Sequence, residues 1–193
     1  MENELPVLHT LRVRGFASPE QIAESSGLDL ATIRSVLDGT AAQGHTRHRE
    51  GRISGHSLTP AGRARYGQLR SGSLPVQDAR AVEAAYASFL GPNQELKELI
   101  TGWQLHPGQE RDPVVARLEG VHKNAVPILD QLGNVGPRFR CYQARLAAAL
   151  AAFRGGDNDA LARPMTGSYH DVWMELHEDL LATLGRERTS DDG

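Results

Sequence analysis

The stretch Glu50-Gly51-Arg52-Ile53-Ser54-Gly55-His56-Ser57-Leu58-Thr59-Pro60-Ala61-Gly62-Arg63 decides how the N-terminal part of this chain folds. The runs 45–49 and 53–58 read as two strands around a tip at Glu50-Gly51-Arg52. Thr59-Pro60 then starts a helix, with Thr as N-cap and Pro at the first helical position, where its missing N–H is least needed. Upstream, Ser18-Pro19-Glu20-Gln21 is another helix start, with Gln21 at the third position to complete a capping box. Gly27 stops that helix as a left-handed cap, and Leu28 fills the turn. Asp29 caps the next helix, on which Ile33, Val36 and Leu37 form the buried stripe before Gly44 ends it. Leu5, Leu8, Leu11 and Phe16 give a first helix ending near Gly15.

This order of helices and hairpin predicts a winged helix-turn-helix over residues 1–72, a fold whose second paired helix enters the DNA major groove. The buried stripe of that helix leaves Ala31, Thr32, Arg34, Ser35 and Asp38 exposed. Thr32, Arg34 and Ser35 lie in its N-terminal half and are expected to meet base edges, where an Arg bidentate to guanine is the commonest specific contact. Arg47, Arg49 and Arg52 on the hairpin are expected to meet phosphates or the minor groove. Charge agrees with this. From Leu30 to Gly72 seven arginines (34, 47, 49, 52, 63, 65, 70) stand against Asp38 and Glu50. From Ser73 onward twelve Lys or Arg stand against seventeen Asp or Glu, so a basic block is joined to an acidic remainder. The plainer alternative is a winged helix used for protein contact, with its arginines solvated.

Residues 1–70 resemble the MarR-like winged-helix regulators, with PadR-like proteins as neighbours. The resemblance rests on Glu50, Arg52, Leu58, Thr59 and Gly62, which fall in the register of that family's wing. It implies that Arg52 points toward the minor groove and that the acidic residue at 50 fixes it by ion pairing. The chain departs from the pattern at the end of the third helix. Thr40, His45 and Thr46 stand where the family has apolar residues, and Gly39 interrupts the helix at about 1 kcal/mol against Ala. The expected result is a short or weakly packed end to that helix. The stretches 95–104 and 168–181 resemble the C-terminal half of regulator-like proteins of mainly actinobacterial origin, a resemblance that does not identify a ligand.

Beyond residue 60 no strand alternation appears. Ser71–Gln77 reads as a junction, and the fold class expected is mainly α with a small β-hairpin wing, the winged helix being followed by a helical bundle of about five helices. The expected boundaries are 1–72 for the DNA-binding domain, 73–78 for a linker, 79–188 for a dimerisation and effector domain, and 189–193 for a disordered tail. Val82, Ala85, Tyr86 and Phe89 share a face before Gly91-Pro92, which is expected to break the helix. Leu96, Leu99, Ile100 and Trp103 continue to His106-Pro107-Gly108. A stripe from Val115 to Leu132 is expected to kink at Pro127, another runs from Phe139 to Phe153, and Ser168 caps a last helix ending near Leu184.

The aromatic and histidine residues of this half suggest an organic-ligand pocket between helices, lined by Trp103, His122, Tyr142, Tyr169, His170, Trp173 and His177. The alternative is that the tryptophans are core. His170, His177 and His122 with a carboxylate are the candidates for a metal site. A seven-residue gap is about 10.5 Å of helix rise, too far for both helix-borne histidines to reach one ion, so no metal and no cofactor are expected. No phosphate loop, nucleophile elbow or Cys–His signal is present, and Cys141 reads as inert core, so the chain is not expected to be an enzyme. A single cysteine suits a reducing compartment, no stretch approaches the length of a membrane span, and the acidic Met1-Glu2-Asn3-Glu4 lacks a secretory signal. The expectation is a cytoplasmic homodimer whose partners are double-stranded DNA and a small-molecule effector, with no membrane. The alternatives are a protein-interaction module, or a metal or metabolite sensor without DNA binding.

Overall fold

The structure, a computed structural model, describes residues 3–51, 54–106 and 108–186. Arg52, the arginine of the hairpin tip, lies outside the described residues, as does the tail 189–193. The chain divides into two compact units, Met1–Ala79 and Arg80–Gly193. The fold is mainly helical, with one two-stranded antiparallel hairpin after three helices among the described residues.

The first unit comprises α1 (Glu4–Arg14), α2 (Pro19–Ser26), α3 (Leu30–Ala42), β1 (Thr46–Arg49), β2 (Gly55–Leu58) and α4 (Pro60–Arg70). Its helix starts follow the cap chemistry. Ser18 and Gln21 form the complete capping box of α2, and Gly27 at φ 73° closes that helix. The Asp29 carboxylate accepts from both the backbone N–H (2.9 Å) and the hydroxyl (2.7 Å) of Thr32 at the start of α3. The core is Val7, Leu8 and Leu11 of α1 with Ile22, Ile33, Val36, Leu37, Leu58 and Tyr66. The hairpin pairs Thr46 with Leu58, Arg47 with Ser57, His48 with His56 and Arg49 with Gly55. Thr46 and Leu58 are buried at one end of the hairpin, and at the other end Gly55 is buried against Phe16 and Ala17 while Arg49 opposite it is exposed. A feature not anticipated from sequence is an isolated bridge between Ala17 and His56, with backbone bonds of 3.0 and 2.8 Å, which ties the α1–α2 connection to the hairpin edge.

The end of α3 differs from expectation. Gly39 does not shorten the helix, which runs to Ala42, and the unexpected polar residues pair with one another. Thr40 is fully buried and its hydroxyl lies 3.0 Å from that of Thr46 and 3.1 Å from the Leu37 carbonyl. A hydroxyl pair thus joins the end of α3 to β1 where apolar packing was expected, and both hydroxyls are satisfied. His45 N–H donates to the Thr40 carbonyl at 2.8 Å, and its own carbonyl accepts from Thr59 N–H at 3.0 Å. A Cβ at Gly62 would sit 1.9 Å from that same carbonyl, so only glycine lets α4 approach this turn.

Glu4 is buried, and Arg65 of α4 holds it with two hydrogen bonds of 3.0 and 2.9 Å. The Arg65 guanidinium holds the Glu4 carboxyl below its ordinary value, against the opposing effect of burial.

The second unit contains α5 (Val76–Leu105, beginning at its boundary with the first), α6 (Arg111–Val135), α7 (Arg140–Arg154), the short α8 (Asp159–Ala162) and α9 (Tyr169–Leu184). A 3-10 turn, Pro137–Phe139, joins α6 to α7. Two expectations are corrected. Val76 onward is the first turn of α5, not linker, and Gly91-Pro92 does not break the helix. Proline inside a helix forfeits about 3 kcal/mol. Here the apolar stripe stays in phase across it, with Phe89 before and Leu96 after both buried. Asn93, one residue beyond the proline, is locked by a 2.9 Å bond from the Trp173 indole N–H. Tertiary packing on both sides of Pro92 thus outweighs the local loss. Pro127 likewise lies within a continuous α6.

Two predictions follow from these contacts. Gly62→Ala is expected to destabilise the first unit by about 1–3 kcal/mol, whereas Gly67→Ala in the same helix, where a Cβ meets nothing within 4 Å, should stabilise by up to about 1 kcal/mol. Urea unfolding of the two variants reads the opposite signs. For Glu4, whose pKa is depressed on folding, the stabilisation is present above the unfolded value and is lost as pH falls through the folded one. Glu4→Gln should therefore lower the melting temperature at pH 7, by about 4–8 °C for each 1 kcal/mol lost in a domain of this size. The gap to the unsubstituted protein should close as the pH drops below the ordinary carboxylate range.

Candidate functional site

The surface of α3 and the hairpin carries the residues expected to read DNA. Arg34 and Ser35 are exposed and Thr32 is half-buried. The Thr32 hydroxyl is already committed to the Asp29 carboxylate as part of the α3 cap, so Thr32 positions the helix start. The Asp29 carboxyl is held below its ordinary value, first by the Thr32 hydroxyl and then by the Thr32 N–H. Arg34 makes a loose exposed pair with Glu20 of α2 at 3.6 Å, worth little in water and easily exchanged for another anion.

On β1 the exposure pattern is one buried residue followed by three exposed ones. Strand alternation puts Arg47 and Arg49 on one face and Thr46 and His48 on the other. Arg47 Nε donates to the Ser57 hydroxyl across the hairpin at 3.2 Å, which orients its stem. Glu50 is exposed, 3.9 Å from His48 Nδ1. Its expected pairing with Arg52 lies outside the described residues. The opposite face carries a cross-strand histidine pair that was not singled out from sequence. The His48 and His56 rings lie 4.7 Å apart, and burial, then the neighbouring His48, hold His56 below its ordinary value against the pull of Asp38.

Of the residues expected to line a ligand pocket in the second unit, Tyr142, Tyr169, Trp173 and His177 are buried in the core, and Trp103, His122 and His170 are half-buried. Tyr169 and Trp173 are fully buried and stacked at 6.0 Å, and Trp173 stacks on Phe89 at 4.8 Å. His177 is buried against Phe89 and Tyr86. His122 Nδ1 lies 3.2 Å from the Tyr169 hydroxyl, and burial holds His122 below and Tyr169 above their ordinary values. His170 is half-buried on α9. The physical reason is amphipathic phase: α9 is buried on most of its circumference, so its aromatic face has neighbouring helices against it and no room for a ligand. Trp103 lines an open cavity between the end of α5, the start of α6 and α8. Among the described residues, no three His, Cys, Asp or Glu side chains are grouped so as to hold a metal ion.

Tyr142 belongs to a buried polar network built on Asp179, a residue that sequence reasoning missed. Asp179 accepts from Arg138 Nε at 3.2 Å, Tyr142 hydroxyl at 3.0 Å and Thr183 hydroxyl at 3.0 Å. Arg138 also donates to Thr183 at 2.7 Å, and burial followed by the Asp179 charge pushes the Tyr142 hydroxyl well above its ordinary value. Asp179 lies on a helix that also carries Asp171, Glu175 and Glu178, and nothing in the local sequence separates a buried carboxylate from a solvated one. Cys141 is half-buried and its thiol donates to the Arg138 carbonyl at 2.9 Å, with burial raising its pKa.

This network is structural, and its removal is measurable. Asp179→Ala leaves Arg138 and Tyr142 without their acceptor and is expected to cost about 3–5 kcal/mol, read as a lowered urea midpoint of the second unit. Set against known protein families, curated proteins and solved structures, the chain matches none.

Proposed function

We propose that this chain is a DNA-binding transcriptional regulator that acts as a homodimer, the first unit being a MarR-like winged helix-turn-helix. The supporting observation is that α3, with Arg34 exposed, leads directly into a hairpin whose Arg47 and Arg49 are also exposed. Such an arrangement offers a helix for the major groove and cations for the backbone on either side of it. The MarR-like reading gains support from Leu58, buried at the hairpin base, from Thr59 as the α4 cap and from Gly62, where the close approach to His45 admits only glycine. In this reading α3 contacts bases through Arg34 and Ser35, and Arg47, Arg49 and Arg52 hold the phosphates or the minor groove.

Two copies would read half-sites about 34–36 Å apart, one helical turn. The acidic second unit would dimerise and take the effector. An effector switches such a protein only by binding its DNA-competent and incompetent states unequally. The protein would be non-enzymatic and would work in the cytoplasm. No helix of the described residues is long and apolar enough to cross a membrane.

The test uses duplexes selected by the protein from a random pool, with scrambled duplexes as control. Arg34→Ala should lose most of the preference for the selected sites, about 1–3 kcal/mol or roughly tenfold to a hundredfold. Arg49→Ala should weaken selected and scrambled duplexes by a similar factor. Binding unchanged in both variants would refute the proposal and favour a protein-contact role for the same surface.

A further inference from the structure

The second unit has an open cavity of about 680 Å³ that lies between the end of α5, the start of α6 and the α8 region. That volume falls in the range of small-molecule sites, roughly 300–1,000 Å³. It is not the pocket the aromatic residues suggested, since Trp103 alone is shared with that set.

Arg111, the first residue of α6, lines it. The Arg111 Nε is occluded from solvent and has no hydrogen-bond partner, and the side chain makes no ion pair among the described residues. Arg163, the other arginine of the lining, is already paired with Asp159. The two cations therefore differ: Arg163 is paired, whereas Arg111 has an occluded, unbonded Nε and makes no ion pair among the described residues, although the exposed Asp112 carboxylate also lines the cavity. A guanidinium in that condition regains the most by meeting a planar anion with its fork of donors. The guanidinium end lies close to the backbone at Gly156, φ 107°, where a Cβ would stand 3.0 Å from Arg111 Nη1, so glycine leaves it room.

Trp103 supplies the second element. Its ring is half-buried and is braced by Phe153 in a T-shaped contact, with centroids 5.4 Å apart and planes at 89°. A braced indole loses little freedom when a planar ring stacks on it. The turn beneath is also fixed, because the Gly102 carbonyl accepts from His106 N–H, His106 Nδ1–H and Gln109 Nε2–H, each at 3.1 Å. Asn158 adds an exposed amide to the rim.

We infer that this cavity binds a planar ring bearing an anionic group, a carboxylate or a phosphate, with Arg111 holding the anion and Trp103 stacking on the ring. The inference deepens the effector role proposed for the second unit and does not depend on DNA binding by the first. Titration calorimetry on the full chain without DNA tests it, so failure here leaves the DNA reading standing. The anionic probes are indole-3-carboxylate and adenosine monophosphate, and their uncharged counterparts are indole-3-carboxamide and adenosine. The expected result is saturable binding of one anionic probe, at least tenfold tighter than its counterpart, with the better arm identifying carboxylate or phosphate. Arg111→Gln, with an unchanged melting temperature because the Arg111 side chain makes no ion pair or hydrogen bond among the described residues, should abolish that advantage. Absence of binding by both anionic probes, or equal binding by Arg111→Gln, would overturn the inference.

Discussion

The carbonyl of His45 is the point on which the first unit depends. It accepts from the Thr59 backbone N–H and from the Thr59 hydroxyl, at 3.0 and 3.2 Å, and so closes the base of the hairpin onto the start of α4. The same hydroxyl donates to the Gly44 carbonyl at 2.6 Å and accepts from Gly62 N–H at 3.0 Å. One threonine therefore caps a helix and ties down the turn after α3. The geometry is possible only because Gly62 has no side chain. Everything that makes β1 present its arginines outward follows from this join: Thr46 is pulled in against Thr40, and alternation then sends Arg47 and Arg49 out.

Each unit also contains one carboxylate that is nearly inaccessible and is held by an arginine, Glu4 by Arg65 and Asp179 by Arg138. Buried ion pairs contribute little net stability over apolar residues of the same shape, but a broken one is expensive. Their effect is to penalise arrangements in which the two partners are apart. Glu4 is on α1 and Arg65 on α4, so the pair links the first and last helices of its unit. Arg138 precedes α7 and Asp179 is on α9, so that pair fixes how these two helices meet.

Local chemistry was legible in the sequence where a cap or a glycine decides a boundary. The α2 capping box, the Asp29 and Thr59 caps, the left-handed Gly27 and the buried stripe of α3 all stand where their residues placed them. Long-range compensation was not legible. Thr40 and Thr46 look like defects in an apolar pattern until their hydroxyls meet, and Pro92 looks like a helix end until Trp173, eighty residues away, bonds to Asn93. Tyr142, Tyr169, Trp173 and His177 turned out to be core for the same reason. Aromatic and histidine residues at helical spacing describe a buried face and a binding face alike, and only the packing of the other helices tells them apart. Arg111 gave no signal at all, because its distinguishing property, an occluded Nε with no hydrogen-bond partner among the described residues, exists only in three dimensions.

The central claim is that the exposed arginines of the first unit bind the DNA backbone, and its most direct test is the salt dependence of binding to double-stranded DNA. Each neutralised phosphate contributes a slope of about −0.9 to log K against log salt, so Arg47 and Arg49 on two copies predict about −3.6 or steeper. A slope near zero, or no binding to duplex DNA at low salt, would contradict the account.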